Sequence, residues 1–401
     1  MKTPHLTSAL VALSLFFGLV IGFTLYAHWT EDRYIHALAP LWLSQKAIGG
    51  ALQKAALRQP DLLPIYGSSE LHFGASETGL DLLATYPTGF MICPIGWSEM
   101  GPLSLALILA ASGGAARHKK IVISLTPLYF STSKPSYAAN FSSLDAAELA
   151  FSTQLSLPLK QRFARRMLQY PRTLRRDPIV RFALQQLVNN SLLPRLFYYA
   201  VFPLGQLQLW VQRLQDQWEV LALIQRQGVN PTIQRNPQGI NWPATIARLS
   251  QQAAQLADDN PFGFDQNFWH KHRAEIPQRK NGWPDDKLAA AIHNANGWKD
   301  LDLLLSEVKE LDANALIVSV PMKGIFQDYQ GNSPATRALY YQKLHELGDR
   351  YAIPVVTFEE QEYNRYFMND FYDHLSTEGW ARYDQVLDAF YHNKQLNVLG
   401  Q

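Results

Sequence analysis

A serine, a histidine and two aspartates are the side chains of this sequence best suited to chemistry. Ser69 follows an apolar run and Gly67-Ser68, a pattern that predicts a strand ending in a tight turn with an accessible hydroxyl. His374 lies near the other end of the chain, with Asp370 and Asp373 just before it. A serine becomes nucleophilic when a histidine removes its proton, and an acidic residue fixes the histidine tautomer. The combination predicts covalent acyl chemistry with Ser69 as nucleophile and His374 as base.

An α/β pattern surrounds these residues and would have to bring them together. Unbroken apolar runs typical of buried parallel strands occur at 62–66, 89–94, 121–125, 315–321 and 353–358. Helical patterns follow at 103–111, 301–311, 335–351 and 380–391. Strands that alternate with helices predict a parallel sheet covered on both faces. Because such sheets form their sites at the carboxyl ends of the strands, we expect Ser69 and His374 to meet there.

The chain divides into four parts by composition. We predict an anchor over 1–29, a helical connector over 30–60, an α/β body formed by 61–134 and 296–401, and a helical insertion over 135–295, which is rich in Gln, Arg and Leu. The insertion carries a basic segment opposed by Asp177 alone, consisting of Lys160, Arg162, Arg165, Arg166, Arg172, Arg175, Arg176 and Arg181. It could contact anionic lipid headgroups or a polyphosphate polymer, or it could simply be a solvated helix face.

The N-terminus predicts a single membrane span. No charged residue occurs between Leu6 and Trp29, and about 20 apolar residues in a helix cover the roughly 30 Å hydrocarbon core of a bilayer. Lys2 precedes the segment and Glu31-Asp32 follow it, which favours a cytoplasmic N-terminus and a body outside the membrane. A cleaved signal peptide is the alternative, but no small-x-small cleavage site follows the segment cleanly.

Other residue patterns offer weaker candidates. The net charge of +2 gives no argument for a nucleic-acid partner, and the single Cys93 allows neither an intrachain disulfide nor a zinc site of cysteines and histidines. Ser98 misses the Gly-x-Ser-x-Gly nucleophile spacing by one residue. His270 and His272 lack a third metal ligand, and His72 could line the site or be structural. We therefore predict no metal and no cofactor.

With these residues assembled, nearly the whole chain resembles the DltD family, most strongly over 65–130 and 315–392. Gly67-Ser68-Ser69-Glu70-Leu71 is similar to the family's nucleophile motif. Residues 94–96 are similar to the segment that carries the next glycine of the family pattern. This resemblance implies an oxyanion hole formed by the amides of Ser69 and Gly96. The segments 321–331 and 366–380 are similar to a family loop and to its acid/base block.

The resemblance implies a biological role as well as a fold. It implies a three-layer, SGNH-hydrolase-like protein with one membrane span, acting outside the membrane in D-alanylation of teichoic acids. Its implied partners are a membrane-bound O-acyltransferase, the D-alanyl carrier pathway and an anionic envelope polymer as acceptor. Two alternatives remain: an esterase or O-acetyltransferase for another exopolysaccharide, and a non-catalytic scaffold that docks through the basic segment.

The sequence departs from the family pattern at two positions. Family members place an aspartate three residues before the histidine, where this chain has Phe371, so the orienting acid is either Asp370 or Asp373. We favour Asp370, because adjacent residues of an extended segment point to opposite sides. Leu128 stands where a glutamine is common, which removes a side-chain oxyanion donor from that position.

Overall fold

A five-stranded parallel sheet lies at the centre of the folded body. The computed structural model describes residues 4–72, 82–131, 140–151, 155–189, 191–233 and 235–396. The strands are β1 (Leu62–Tyr66), β2 (Met91–Ile95), β3 (Lys120–Leu125), β4 (Asn314–Ser319) and β5 (Val355–Val356). Their order is β2-β1-β3-β4-β5, and all four pairings are parallel. β1 is therefore flanked by β2 and β3, and the residues after these three strands share one edge.

The described chain also contains α-helices, several of which cover the two faces of this sheet. They are α1 (Pro4–Leu38), α2 (Gln45–Ile48), α3 (Ala51–Arg58), α4 (Pro102–Ala111), α5 (Leu128–Ser131), α6 (Ser143–Phe151), α7 (Leu157–Met167), α8 (Pro178–Leu187), α9 (Leu192–Gln227), α10 (Trp242–Ala257), α11 (Gln266–His272), α12 (Asp285–Asn294), α13 (Gly297–Glu310), α14 (Gly324–Gln330), α15 (Pro334–Tyr351) and α16 (Thr377–Tyr391).

Alternate strand residues enter two different cores. Ile121 and Ile123 of β3 join the core formed with α3, α4 and α13, whereas Val122 joins the core formed with α16. A strand buried on both faces has to be apolar throughout, because successive side chains point to opposite sides. The predicted α/β class with a covered parallel sheet is confirmed.

The observed strand boundaries differ from the prediction most at the last strand. The apolar run 353–358 predicts six strand residues, but β5 has only Val355 and Val356. Phe358 has a left-handed backbone with a φ of 50°, which ends the extended conformation, and its ring is buried in the core beside α16. Pro354 is exposed and both strand residues are half-buried, so the apolar run at this edge of the sheet predicts neither the length of the strand nor uniform burial.

The middle of the chain packs as part of the same body. Its described residues between 140 and 295 form helices and contain no strand. Ala147, Phe163 and Leu184 belong to the core that also contains Ile121 of the sheet. The helices of this segment therefore extend the main core.

The basic segment separates into two structurally different halves. Lys160 is buried, Arg162 pairs with Asp302 at 2.6 Å, and Arg166 pairs with Asp300 at 2.6 Å, so these residues fasten α7 to α13. Further along the chain, the exposed arginines are Arg172, Arg175, Arg176 and Arg181. The second half is therefore a solvated basic surface, whereas in the first half Arg165 is the exposed arginine.

Helix α1 is longer than the apolar segment that begins it. It runs without interruption to Leu38, so the first part of the predicted connector continues the same helix. Among the described residues it is the one helix long and apolar enough to cross a membrane, and its most apolar window is not buried at all against the body. This fits a single-pass anchor.

Candidate active site

The turn after β1 places Ser69 at the carboxyl edge of the sheet. Tyr66 ends the strand, the Gly67 amide donates to the Ile95 carbonyl at 3.0 Å, and Ser69 begins a 3₁₀ turn that ends at Leu71. A Cβ on Gly67 would lie 2.6 Å from Glu70 Oε1 and 2.7 Å from Leu71 Cδ1, so a side chain at this position would have to displace both of these buried side chains. The turn leaves Ser69 partly exposed.

The two adjacent serines have different surroundings. Ser68 is buried, and its hydroxyl donates to the Trp97 carbonyl at 3.1 Å and accepts from the Met100 amide at 3.2 Å and from Tyr129 Oη at 2.6 Å. Ser69 Oγ instead lies 3.3 Å from His374 Nε2. Ser68 therefore holds neighbouring loops together, and only Ser69 faces a base.

His374 is held on its other side by Asp370. The Nδ1 atom of the ring lies 2.6 Å from Asp370 Oδ2. Asp370 Oδ1 in turn accepts from the Tyr372 amide at 2.7 Å and from the His374 amide at 3.3 Å. A carboxylate fixed in this way selects the tautomer whose Nε2 can accept the proton of a serine. The Ser69–His374–Asp370 arrangement is the geometry of a nucleophile, a base and an orienting acid.

The Asp373 carboxylate is directed away from His374 Nδ1, the ring atom that contacts Asp370. Its Oδ2 accepts from the Leu128 amide at 3.1 Å, and its backbone is left-handed with a φ of 66°. Burial raises the pKa of Asp373 to about 7, against the lowering effect of a hydrogen bond from Thr126. The segment between the two aspartates is a tight turn and not the extended segment that the sequence analysis assumed. Alternation of side chains therefore does not explain why Asp370, and not Asp373, contacts His374 Nδ1.

The phenylalanine at the family's usual aspartate position belongs to an aromatic cluster. Phe371 stacks on Phe326 with centroids 5.2 Å apart and lies edge-on to Phe264 at 5.8 Å. The Arg279 guanidinium lies 4.1 Å from the Phe371 centroid. This ring is directed into the cluster, and the carboxylate that contacts the imidazole is that of Asp370, four residues before His374.

The surroundings of His374 increase its proton affinity. Burial alone would lower the pKa of this histidine, but the hydrogen bond and charge of Asp370 outweigh burial and raise it above the ordinary value, with smaller contributions from Asp373 and Glu70. The ring is thus suited to hold the proton it would take from Ser69.

Gly96 lies beside the nucleophile turn, directly after β2. Residues Tyr66 and Ile95 are paired in the sheet, so the segments that follow them start side by side. The φ of Gly96 is +142°, and a Cβ there would lie 1.8 Å from the Gly67 carbonyl oxygen. The role of the Gly96 and Ser69 amides as oxyanion donors stays a prediction. The Leu128 amide is already directed to Asp373 and to Thr126 Oγ1.

Two residues near the site, Glu70 and Trp42, were not assigned a place there from the sequence. Glu70 is buried, its Oε1 accepts from the Ser68 amide at 2.8 Å, and burial raises its pKa to about 7. Trp42 stacks between His72 at 5.4 Å and Trp97 at 5.5 Å. The position of Glu70 directly after the predicted nucleophile was visible in the sequence and could have indicated that it belongs to the turn. No local pattern connects Trp42 with a residue 55 positions away.

The weaker candidates lie in other environments. The Ser98 carbonyl accepts from Asn140, and no contact of its hydroxyl with a base occurs among the described residues. His270 lies 3.5 Å from Asp259, and His272 contacts Glu275. Within the described ranges, no group of three or more metal-ligating side chains could hold an ion.

Comparison with known proteins agrees with the resemblance seen in the sequence. Residues 40–392 match the family model described as "DltD protein". Protein DltD of Bacillus subtilis (strain 168) is 25% identical over 350 residues, which cover 85% of this chain and 85% of that protein. Protein DltD of Staphylococcus aureus (strain NCTC 8325 / PS 47) is 20% identical over 349 residues, covering 86% and 85%. The matched range contains all five strands and all the site residues described above.

Proposed function

This chain belongs to the DltD family, which is involved in D-alanylation of teichoic acids, and on that basis we propose that it transfers D-alanyl groups to an envelope polymer through an acyl-enzyme on Ser69. The observation that carries the proposal is the hydrogen-bonded series from Ser69 through His374 to Asp370, with separations of 3.3 and 2.6 Å. The acceptor is teichoic acid or a related anionic polymer.

The first half-reaction loads the serine. Ser69 Oγ attacks the carbonyl carbon of an activated D-alanyl ester or thioester, and His374 Nε2 takes the hydroxyl proton. The amides of Ser69 and Gly96 hold the oxyanion that develops. The bond between the carbonyl carbon and the donor breaks, and His374 gives its proton to the leaving alcohol or thiol.

The second half-reaction releases the acyl group to the polymer. His374 removes the proton of a polymer hydroxyl, whose oxygen bonds to the carbonyl carbon of the Ser69 ester. The ester bond to Ser69 then breaks and the proton returns to Ser69 Oγ. Each ester formed adds an ammonium group to the anionic polymer, so the reaction lowers the negative charge of the envelope.

The setting of this reaction follows from α1 and from the family. We place the N-terminus in the cytoplasm and the body outside the membrane, since Lys2 precedes the apolar segment and Glu31-Asp32 follow it. A membrane-bound O-acyltransferase and the D-alanyl carrier pathway would supply the acyl group. These partners are those implied by the family.

The adjacent serines provide the experiment that tests the proposal. Ser69→Ala should abolish D-alanyl ester in the envelope polymer of a complemented deletion strain while the protein accumulates normally. Ser68→Ala is the matched control: it removes buried hydrogen bonds, so it should lower stability by about 1–3 kcal/mol but retain transfer. Ester content unchanged by Ser69→Ala would contradict the mechanism and favour a scaffold.

The acyl group is identified by a second measurement on the same protein. Mass spectrometry of the trapped adduct should find an alanyl group on the peptide that contains Ser69. An acetyl group there would instead favour an esterase or O-acetyltransferase for another exopolysaccharide.

A further inference from the structure

Helix α9 exposes a long apolar face to its surroundings. Leu196, Leu204 and Leu207 are each more than half exposed, and Leu193 and Val211 continue the same stripe. These residues recur at a helical spacing, and no charged residue occurs from 196 to 212. A contiguous exposed apolar stripe of this length on a soluble body marks an interaction surface.

The opposite face of α9 fixes this orientation. Tyr198, Gly205 and Leu209 are buried, and Tyr198 Oη donates to the Ala150 carbonyl at 2.7 Å. A Cβ on Gly205 would lie 2.1 Å from the Phe151 ring, so α9 is seated closely on α6. The helix cannot rotate to hide its outer face without losing this contact.

The exposed face continues into the membrane anchor. Trp218 is on the same side of α9 and is 65% exposed. The centroid of its ring lies 6.2 Å from that of Phe23 in α1. Phe23 is inside the uncharged stretch of α1, and the exposed Tyr26 and Trp29 follow it. Aromatic side chains at this position are typical of the boundary between lipid and water. The part of α9 around Trp218 therefore lies at the depth of that boundary.

Exposed positive charge adjoins the apolar face. Asp177, the residue after Arg175 and Arg176, accepts from Gln208 of α9 at 3.2 Å. The exposed arginines of this region are thus held beside α9. An apolar helix face next to arginines is the pattern of a helix that lies in the interface of an anionic membrane.

We propose that the outer face of α9 is embedded in the outer leaflet of the membrane that α1 crosses, with phospholipid as its occupant. Continuity with α1 at Trp218 and the adjoining arginines favour lipid over a protein partner. The helix lies in the interface rather than spanning the bilayer, because its inner face is packed on the body and its apolar stretch contains Gln206, Gln208 and Gln212. Two points of attachment fix the orientation and height of the body above the membrane.

Site-directed fluorescence on the full-length protein tests the proposal. Cys93 is buried, so a cysteine introduced by Leu204→Cys can be labelled selectively with an environment-sensitive fluorophore. Leu339→Cys is the matched control, since Leu339 is 43% exposed on α15, which packs on α12 and α13. Both variants are placed in nanodiscs of phosphatidylglycerol and phosphatidylethanolamine in which the membrane scaffold protein is the only other protein.

Nitroxide-labelled lipid should quench the label at 204 several-fold more than the label at 339. A label at a second site, introduced by Leu196→Cys, should be quenched as strongly as the label at 204. This variant tests whether the result depends on one substitution. Equal quenching at 196, 204 and 339 would overturn the proposal and leave a protein partner as the occupant. The proposal depends on α1 as an anchor and not on Ser69 chemistry, so either can fail alone.

Discussion

At the scale of single residues, neighbouring side chains of the same type have separate tasks in this protein. Ser68 and Ser69 differ by one position, yet one hydroxyl is saturated by buried partners and the other faces His374. The two aspartates differ in the same way: Asp370 contacts the imidazole, whereas Asp373 accepts a hydrogen bond from the Leu128 amide. In both pairs the backbone conformation of a turn decides which side chain meets the base.

The aspartate pair gives a prediction with its own control. Asp370→Asn should reduce the acyl-transfer rate by about 10³- to 10⁴-fold, because the amide can hold the wrong histidine tautomer. Asp373→Asn should reduce it less than about tenfold, since its amide oxygen can still accept from Leu128. Initial rates with an acyl thioester donor measure both. Comparable losses in the two variants would contradict the assignment of Asp370.

The pH profile of the same variants adds an independent readout. His374 acts as a base only when neutral, and its pKa is raised, so the wild-type rate should fall with acidification through a midpoint above the ordinary histidine value of about 6.5. Asp370→Asn replaces the carboxylate, whose negative charge and charged hydrogen bond raise this pKa, by a neutral amide. Its midpoint should therefore move to lower pH, and an unchanged midpoint would separate Asp370 from His374.

At the scale of elements, the site depends on how closely the turns after β1 and β2 approach. Gly96 lies so near the Gly67 carbonyl that no side chain fits between the two turns. The parallel register of β1 and β2 brings these turns together, and Gly67 and Gly96 allow the contact.

Gly96→Ala should therefore damage both stability and transfer. Its Cβ would lie 1.8 Å from the Gly67 oxygen at a backbone φ of +142°, so the turn that holds Ser69 has to move. We expect a loss of about 1–3 kcal/mol from overpacking in addition to backbone strain. Gly89→Ala is the control, because Gly89 also has a positive φ, of +92°, but no atom lies within 4 Å of its Cβ. Chemical denaturation and transfer rates distinguish the two, and equal effects would rule out the steric account.

At the scale of the whole molecule, the helical middle segment and the sheet body share one core and a buried ion pair. Arg166 of α7 contacts both oxygens of Asp300 on α13, at 2.6 and 2.9 Å, and both side chains are more than nine-tenths buried. The two parts of the chain should therefore unfold together.

Arg166→Met should cost about 3–5 kcal/mol, because it leaves the Asp300 carboxylate buried without a partner. The double variant with Asp300→Leu should recover most of that loss, since a packed apolar pair replaces the ion pair. Arg165→Met, on the exposed neighbour, should change stability by less than about 0.5 kcal/mol. Denaturant unfolding in detergent measures all three. Arg166→Met as stable as the wild type would show that the pair does not join the two parts.

The sequence alone was sufficient for the class of fold, the apolar N-terminal helix and the candidate residues Ser69 and His374, but it left the orienting acid open between Asp370 and Asp373. Each of these rests on a short-range property: residue spacing along a strand or helix, the length of an uncharged segment, or a turn motif. The family comparison confirmed the resemblance that these motifs indicated, and the roles of the site residues stay predictions.

Only the tertiary structure decided which partner each polar group meets. It directed Asp373 to Leu128 and Phe371 to an aromatic cluster, and it replaced the expected extended segment by a turn. It also divided the basic segment into arginines that pair with α13 and arginines exposed on the surface, and placed Trp42 between His72 and Trp97. Such choices depend on contacts between residues far apart in the chain, where packing and burial rather than local spacing set the free energy of each arrangement.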